Sequence, residues 1–316
     1  DVPDEDMRDY KTAEWAAATL PDLAERTQPF FLAVGFSLPH VPIYASKKWF
    51  DLYPLEDVQL PETTANDRDD LPEISKLLTL NPTGPRHEWM VEHNEERHAV
   101  RAYLAANSFV DYLVGMVLEG LEASGEAENT IVVLWSDHGF HLGEKQRWAK
   151  RTLWEETTRV PLIIRAPGMA KGQDCSRPVG LIDLYPTLAD LCGLPAKVDN
   201  EGVSLTPLLR DPSIAWEKPT LTTFGPNNHS VRSERWRYTR YVDGSEELYD
   251  HQSDPNEWTN LGLNPEYVEI KREHRKAIPE INVEPLPGSA GSDSPLYGEG
   301  GKISLNEAMK RALDRK

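Results

Sequence analysis

The stretch TIVVLWSDHG, residues 130–139, decides how the rest of the chain is read. Residues 130–135 are almost wholly apolar, and the chain then breaks into Ser136, Asp137, His138 and Gly139. A short apolar run bounded by polar turn residues suits a strand covered on both faces. Two more runs have this character. PFFLAVGFS, residues 29–37, lies upstream, and RVPLIIRAPG, residues 159–168, predicts a strand over 160–165.

Helical patterns alternate with these strands. Residues 95–123 place Val100, Tyr103, Leu104, Val110, Leu113, Val114, Val117, Leu118 and Leu121 at a 3.6-residue period, and Gly125 can end the helix. Residues 9–26 predict a helix with Trp15, Leu20 and Leu23 on one face, and LIDLYPTLADLCGL predicts a short one stopped by Gly193. The alternation predicts an α/β fold, a mostly parallel sheet flanked by helices. Residues 54–86, rich in Pro, Asp, Asn and Thr, read as a long irregular excursion.

After about residue 206 the texture changes. HSVRSERWRYTRYVDGSEELYD, residues 229–250, alternates and turns at Asp243–Gly244, which predicts an antiparallel sheet in a smaller α+β subdomain. The expected organisation is a large α/β domain over 1–205, a small antiparallel-sheet subdomain over 206–283, and an extended arm with a closing helix over 284–316.

Composition narrows the function. The chain has 316 residues, 39% of them apolar, enough for a real core. A net charge of −18 repels nucleic acid and anionic membranes, so neither is expected as a partner. No run of 18 apolar residues occurs, so no membrane span is expected, and no signal-peptide pattern is found. Cys175 and Cys192 do not make a disulfide scaffold; they either pair or stay free. DVPDEDMRDY is an abrupt opening, and an upstream segment is expected to be missing from this chain.

In open parallel sheets, ligands bind at the carboxyl ends of strands. One strand runs out into Ser37-Leu38-Pro39-His40 and another into Ser136-Asp137-His138-Gly139. Asp137 and His138 side by side can face a metal; the bland alternative is strand-end capping and turn chemistry. His40, between prolines, is either a site residue or a histidine simply packed or exposed. EKQRWAKR, residues 144–151, sets Lys145, Arg147, Lys150 and Arg151 against one Glu, either as a solvated basic face or as an anion clamp. His141 reads as a surface turn histidine more readily than as a support for the site. His229, in NNHSVR, either reaches the cleft or is structural.

The longer stretch SDHGFHLGEKQRWAKRTLWEETTRVPLIIRAPG resembles the second signature region of the sulfatase family, within the alkaline-phosphatase superfamily. PFFLAVGFSLPHVPIYASKKWFDLYP, DLYPTLADLCGLP and LYDHQSDPNEWTNL are similar to the iduronate-2-sulfatase-like branch, so the likeness extends over most of residues 10–262. It implies sulfuric ester hydrolysis on sulfated sugars, an extracytoplasmic location and a Ca2+ cofactor. It implies Asp137 and His138 as late calcium ligands, His40 as a contact to the sulfate or leaving oxygen, and Lys150 as a sulfate-binding lysine. No role carries onto Lys145, Arg147 or Arg151.

The family's nucleophile is a formylglycine made from Cys or Ser in a C/S-x-P/A-x-R pattern, whose hydrated aldehyde attacks sulfur. Cys175 is followed by Ser-Arg-Pro-Val, Cys192 by Gly-Leu-Pro-Ala, and Ser37 meets Val41 where Arg is needed. A paired Asp ending an apolar strand is also absent, since Asp69-Asp70 follows TAND. The chain therefore resembles the later two-thirds of a sulfatase, expected to be inactive alone. A phosphomonoester or phosphodiester hydrolase of the same superfamily, and a non-catalytic fragment or subunit, are the alternatives.

Overall fold

The computed structural model describes residues 2–79, 84–283, 286, 297–298 and 301–302. The expected closing helix over 305–313, and most of the expected arm, lie outside the described residues. The chain divides into two compact units, residues 1–61 with 88–132, and residues 62–87 with 133–316. The expected boundary at 205/206 falls inside the second unit.

The first unit is built on two helices, α1 (Arg8–Ala24) and α5 (Glu96–Ala123). Their contact is close because it is lined by small residues: Ala13, Ala16, Ala105 and Ala106 are fully buried. Gly120 sits against Ala17, where an added Cβ would lie 2.7 Å from the Ala17 Cα. Phe109 and Leu113 are fully buried with Met7 and Ala13. Trp49, from α2 (Lys47–Phe50), stacks on Phe109 with ring centroids 5.5 Å apart. By length and hydropathy α5 matches a membrane span, but these contacts are those of a core helix. Trp15 departs from expectation: it is 54% exposed, while Leu20 and Leu23 are buried.

Residues 29–37 also depart from expectation. They alternate between half-buried and exposed positions as a strand does, and Phe30 and Leu32 pack against Leu20 and Leu121. Among the described residues, however, no strand pairs with them, and Phe31 is 85% exposed. A strand is defined by its partner's hydrogen bonds as well as by its own pattern.

In the second unit, α3 (Glu73–Thr79) lies in the irregular excursion; α4 (His87–Glu92) begins at the last residue of this unit's 62–87 segment and falls otherwise in the first unit. β1 (Val132–Trp135) pairs with β2 (Leu162–Arg165). The expected burial on both faces is not met: Trp135 is 49% exposed and Ile163 59%. Between these strands comes the one-turn α6 (Glu155–Thr158), and after them α7 (Leu184–Leu191) and α8 (Thr206–Arg210). Gly193 follows α7 at φ +66°, the left-handed conformation of a helix stop.

The predicted antiparallel sheet is present, in the order β3 (Thr220–Thr223), β4 (His229–Arg232), β5 (Trp236–Arg240), β6 (Glu246–Asp250). Tyr238 stands opposite both Val231 and Leu248, and the three form a buried cluster covered by Tyr267 and by Ile270 of α9 (Val268–Arg275). Alternate residues point the other way, so Arg237 and Thr239 are buried on the opposite face. That second face positions the candidate site.

Candidate active site

The segment after β1 is a tight polar turn. Ser136 Oγ donates to the His138 carbonyl at 2.8 Å, and Gly139 N–H donates to the Thr157 carbonyl at 3.0 Å. Gly139 passes so close to α6 that an added Cβ would lie 2.0 Å from the Glu156 carbonyl oxygen. Glycine is required here by that approach. The packing points Asp137 outward, with its carboxylate 83% exposed.

His138 Nδ1 lies 2.7 Å from the Gly139 carbonyl oxygen. A carbonyl only accepts, so Nδ1 carries the proton and Nε2 keeps its lone pair. That Nε2 is 3.7 Å from Asp137 Oδ1. An anionic oxygen and an imidazole lone pair, side by side, fit the donor set of a divalent cation.

Lys150 lines the same cavity as Asp137 and His138. Burial pushes its ammonium pKa down, the Asp137 carboxylate pulls it up, and the charge of Arg151 pushes it down again. Three of the sequence-predicted residues, Asp137, His138 and Lys150, are thus brought together. His40 belongs to the first unit. There it is exposed, between two cis peptide bonds, Leu38–Pro39 and Val41–Pro42, with Nδ1 2.7 Å from the Val41 carbonyl oxygen. The turn before it is pinned by the buried Asp9, whose carboxylate accepts from Ser37 N–H at 2.8 Å and Leu38 N–H at 2.9 Å.

His229 is placed elsewhere. It is buried in β4, with Nδ1 2.9 Å from Thr223 Oγ1 and Nε2 2.7 Å from Asn282 Oδ1, and it does not line the cavity. Both ring nitrogens are engaged, which suits a structural histidine.

The EKQRWAKR run is not a solvated face. Lys145 is 2% exposed, and its ammonium pairs with Asp67 and donates to the Glu257 carbonyl. Its charge also sits over the rings of Trp154 and Tyr249, 5.8 and 5.4 Å from their centroids. Arg147 is also buried, and burial, followed by the charges of Arg86 and Arg151, brings its pKa down to about 10. Lys145, Gln146 and Arg151 all have positive φ, at 51°, 53° and 73°. Each costs a non-glycine residue about 1–2 kcal/mol, and surrounding contacts must hold it there.

Those contacts come partly from the small sheet. Arg237 of β5 pairs with Glu257 and Glu155, and donates to the Leu153 carbonyl at 3.3 Å. Glu155, His251 and Glu257 bring ligand-type atoms within 4.8 Å of one another. The guanidinium of Arg237 already lies on both carboxylates, and that of Arg232 reaches Glu155 at 3.3 Å. The positive charge that a metal would bring is therefore already in place, and the group reads as an ion-pair network.

His141 overturns the expectation of a surface histidine. It is fully buried, with Nε2 2.8 Å from Thr152 Oγ1, and Nδ1 3.8 Å from Glu156 and 3.9 Å from Glu144. Burial, then the charge of Arg147, brings its pKa to about 3, so the ring is neutral. Burial, then the charge of Glu257, raises Glu156 to about 8. No local pattern announced this cluster, because its members meet only when an eleven-residue loop closes. Cys175 and Cys192 are both free and exposed.

The family described as Sulfatase matches residues 3–194, and N-sulphoglucosamine sulphohydrolase, C-terminal, matches residues 143–284. A sulfatase of Formosa agariphila is 42% identical over 276 residues, covering 87% of this chain and 54% of that protein. Mouse iduronate 2-sulfatase is 33% identical over 233 residues, covering 62% of this chain and 41% of that protein. The solved phosphonate monoester hydrolase of Silicibacter pomeroyi has a TM-score of 0.74 at 21% identity, over 86% of this chain and 59% of that one. It shows a shared alkaline-phosphatase-like fold. The chain spans about half the length of the curated relatives it matches.

Proposed function

The chain belongs to the sulfatase family, and on that premise we propose that it supplies the cation-binding and sulfate-binding part of a sulfuric ester hydrolase acting on sulfated sugars. The observation that carries the reading is the convergence of Asp137, His138 and Lys150 on one cavity wall, with the His138 Nε2 lone pair free.

Asp137 and His138 hold the cation, which we assign as calcium. When bound, it offsets the negative charge of the sulfuryl group being transferred. Lys150 holds a sulfate oxygen as a compact point charge, and its partial burial strengthens that contact. His40 stabilises or protonates the leaving oxygen, a role assigned by the family resemblance and by its exposed imidazole on a turn pinned by Asp9. The nucleophile comes from outside these 316 residues, since no C/S-x-P/A-x-R motif occurs among them. The chain alone therefore turns over no sulfate ester. We place the complete enzyme outside the cytoplasm, in keeping with its branch of the family.

The test is turnover of an aryl sulfate, an aryl phosphate and a phosphonate monoester by a polypeptide carrying residues 1–316 and a formylglycine segment. Preference for the sulfate, lost on calcium chelation and restored by calcium, supports the reading. A preference for the phosphorus esters with zinc or manganese overturns it. Sulfate turnover by the 316-residue chain above a His40→Ala control overturns the assignment of the nucleophile.

A further inference from the structure

Beside Lys150 stands a cation to which the sulfate reading gives no task. Arg151 lines the same cavity as Asp137, His138 and Lys150, and is half-buried. Five of the other cations on the cavity lining have a carboxylate within ion-pair distance: Arg177 has Glu234, Lys218 has Asp183, Arg232 has Glu155, Arg235 has Asp250, and Arg237 has Glu155 and Glu257; Arg159, also on that lining, is exposed to solvent where Arg151 is half-buried. Among the described residues, no carboxylate lies within ion-pair distance of Arg151, and no oxygen accepts a hydrogen bond from its guanidinium. Its own charge disfavours Arg147 and Lys150 as cations, so like charges are close together here. Its backbone is left-handed, at φ +73°. A chain of net charge −18 has many carboxylates to offer, yet here it gathers like charges and keeps a fork of donors open to the cavity.

A sulfate monoester brings one negative charge, which the Lys150 ammonium and a cation on Asp137 and His138 already meet. The planar guanidinium is matched instead to a second planar or multi-oxygen anion, gripped through two parallel hydrogen bonds. We infer that Arg151 receives a second anionic group of the substrate, a carboxylate or a further sulfate beside the ester, so that this site selects doubly acidic sugars. The inference rests on the sulfatase reading and makes Arg151 the residue that sets specificity within it.

The experiment is titration of the full 316-residue chain, in calcium and at fixed ionic strength. The probes are inorganic sulfate, a monosulfated neutral monosaccharide, a sulfated uronic acid and a disulfated amino sugar. The wild type is expected to bind at least one doubly acidic sugar about tenfold more tightly than the monosulfated one, the equivalent of about 1.4 kcal/mol. The sugar that gains identifies the second group as carboxylate or sulfate. In Arg151→Ala the ratio should fall to about twofold or less, and Arg151→Lys should keep only part of it. Arg151→Gly guards against a folding artefact: glycine favours φ +73°, so this variant should melt no lower than wild type and still lose the preference. A preference that survives in Arg151→Gly and Arg151→Ala overturns the inference alone. Sulfate binding that is indifferent to Lys150→Ala overturns the sulfate reading, and the inference with it.

Discussion

The main-chain N–H of His141 donates to the carbonyl of Ala149 at 3.1 Å, tying the turn of Asp137 and His138 to the turn of Lys150. The His141 ring closes the same tie from the other side. Its Nε2 meets Thr152 Oγ1, which in turn lies 2.7 Å from Thr157 Oγ1, and the Thr157 carbonyl accepts from Gly139 N–H. The turn of Asp137 and His138 and the turn of Lys150 are thus two ends of one buried hydrogen-bonded loop.

Cutting that tie should cost stability. Thr152→Val leaves the buried His141 ring without its hydroxyl partner, a loss of about 1–3 kcal/mol in denaturant unfolding. Serine at 152 restores the hydroxyl and should recover most of the loss. An unfolding midpoint equal to wild type in Thr152→Val would remove the tie from the account.

The buried Glu156 should give stability a pH signature. Its pKa rises from a usual 4.5 to about 8, so the folded state holds the proton more tightly than the unfolded chain. The stability that this protonation contributes is fully present below pH 4.5 and is lost as pH rises toward 8. His141 works in the opposite direction: its pKa falls from 6.5 to about 3, so its contribution is present above 6.5 and lost as pH falls toward 3. Glu156→Gln should therefore melt higher than wild type at pH 8, with the gap shrinking toward pH 5. A gap independent of pH contradicts this.

The network on the second face of the small sheet predicts a larger effect. Arg237→Ala leaves Glu257 buried without its guanidinium, a loss of about 3–5 kcal/mol by chemical denaturation. Glu257 is held down at about 2; burial opposes the charge, and Arg237 and His251 more than offset it. Its contribution is present above 4.5 and lost as pH falls toward 2, so Arg237→Ala should flatten acid denaturation in that window. A loss under about 1 kcal/mol would place this network among ordinary surface ion pairs.

The limits of reading this chain lie in how far apart the interacting residues are. The periodic apolar positions of α5 placed that helix to within a residue at its start, because a 3.6-residue stripe is local information. Asp137, His138 and Lys150 were legible through their motif, and the cavity brings these three together. The fates of Lys145 and His141 were not legible. Lys145 is buried by Asp67, 78 residues away, and by Glu257, 112 residues away. Residues 29–37 carry a strand's alternation, but the pairing that completes a strand is a property of its neighbour. Arg151 sat in plain view as one cation among four. Unlike Lys145, which is paired with Asp67, it and Lys150 have no carboxylate within ion-pair distance among the described residues, which only the folded arrangement reveals.

The central claim is that Lys150 holds the sulfuryl group beside the Asp137–His138 cation site. Its most direct test is kcat/KM for a sulfate ester, in an enzyme that carries these residues together with a formylglycine segment, calcium content being checked in each variant. A charge-assisted hydrogen bond of about 1.5–3 kcal/mol predicts that Lys150→Ala lowers kcat/KM by roughly tenfold to a few hundredfold. Lys150→Arg should not restore it fully, and Lys47→Ala, on an exposed helix of the first unit, should leave it near wild type. Equal kcat/KM for Lys150→Ala and wild type, at equal calcium content, would contradict the account.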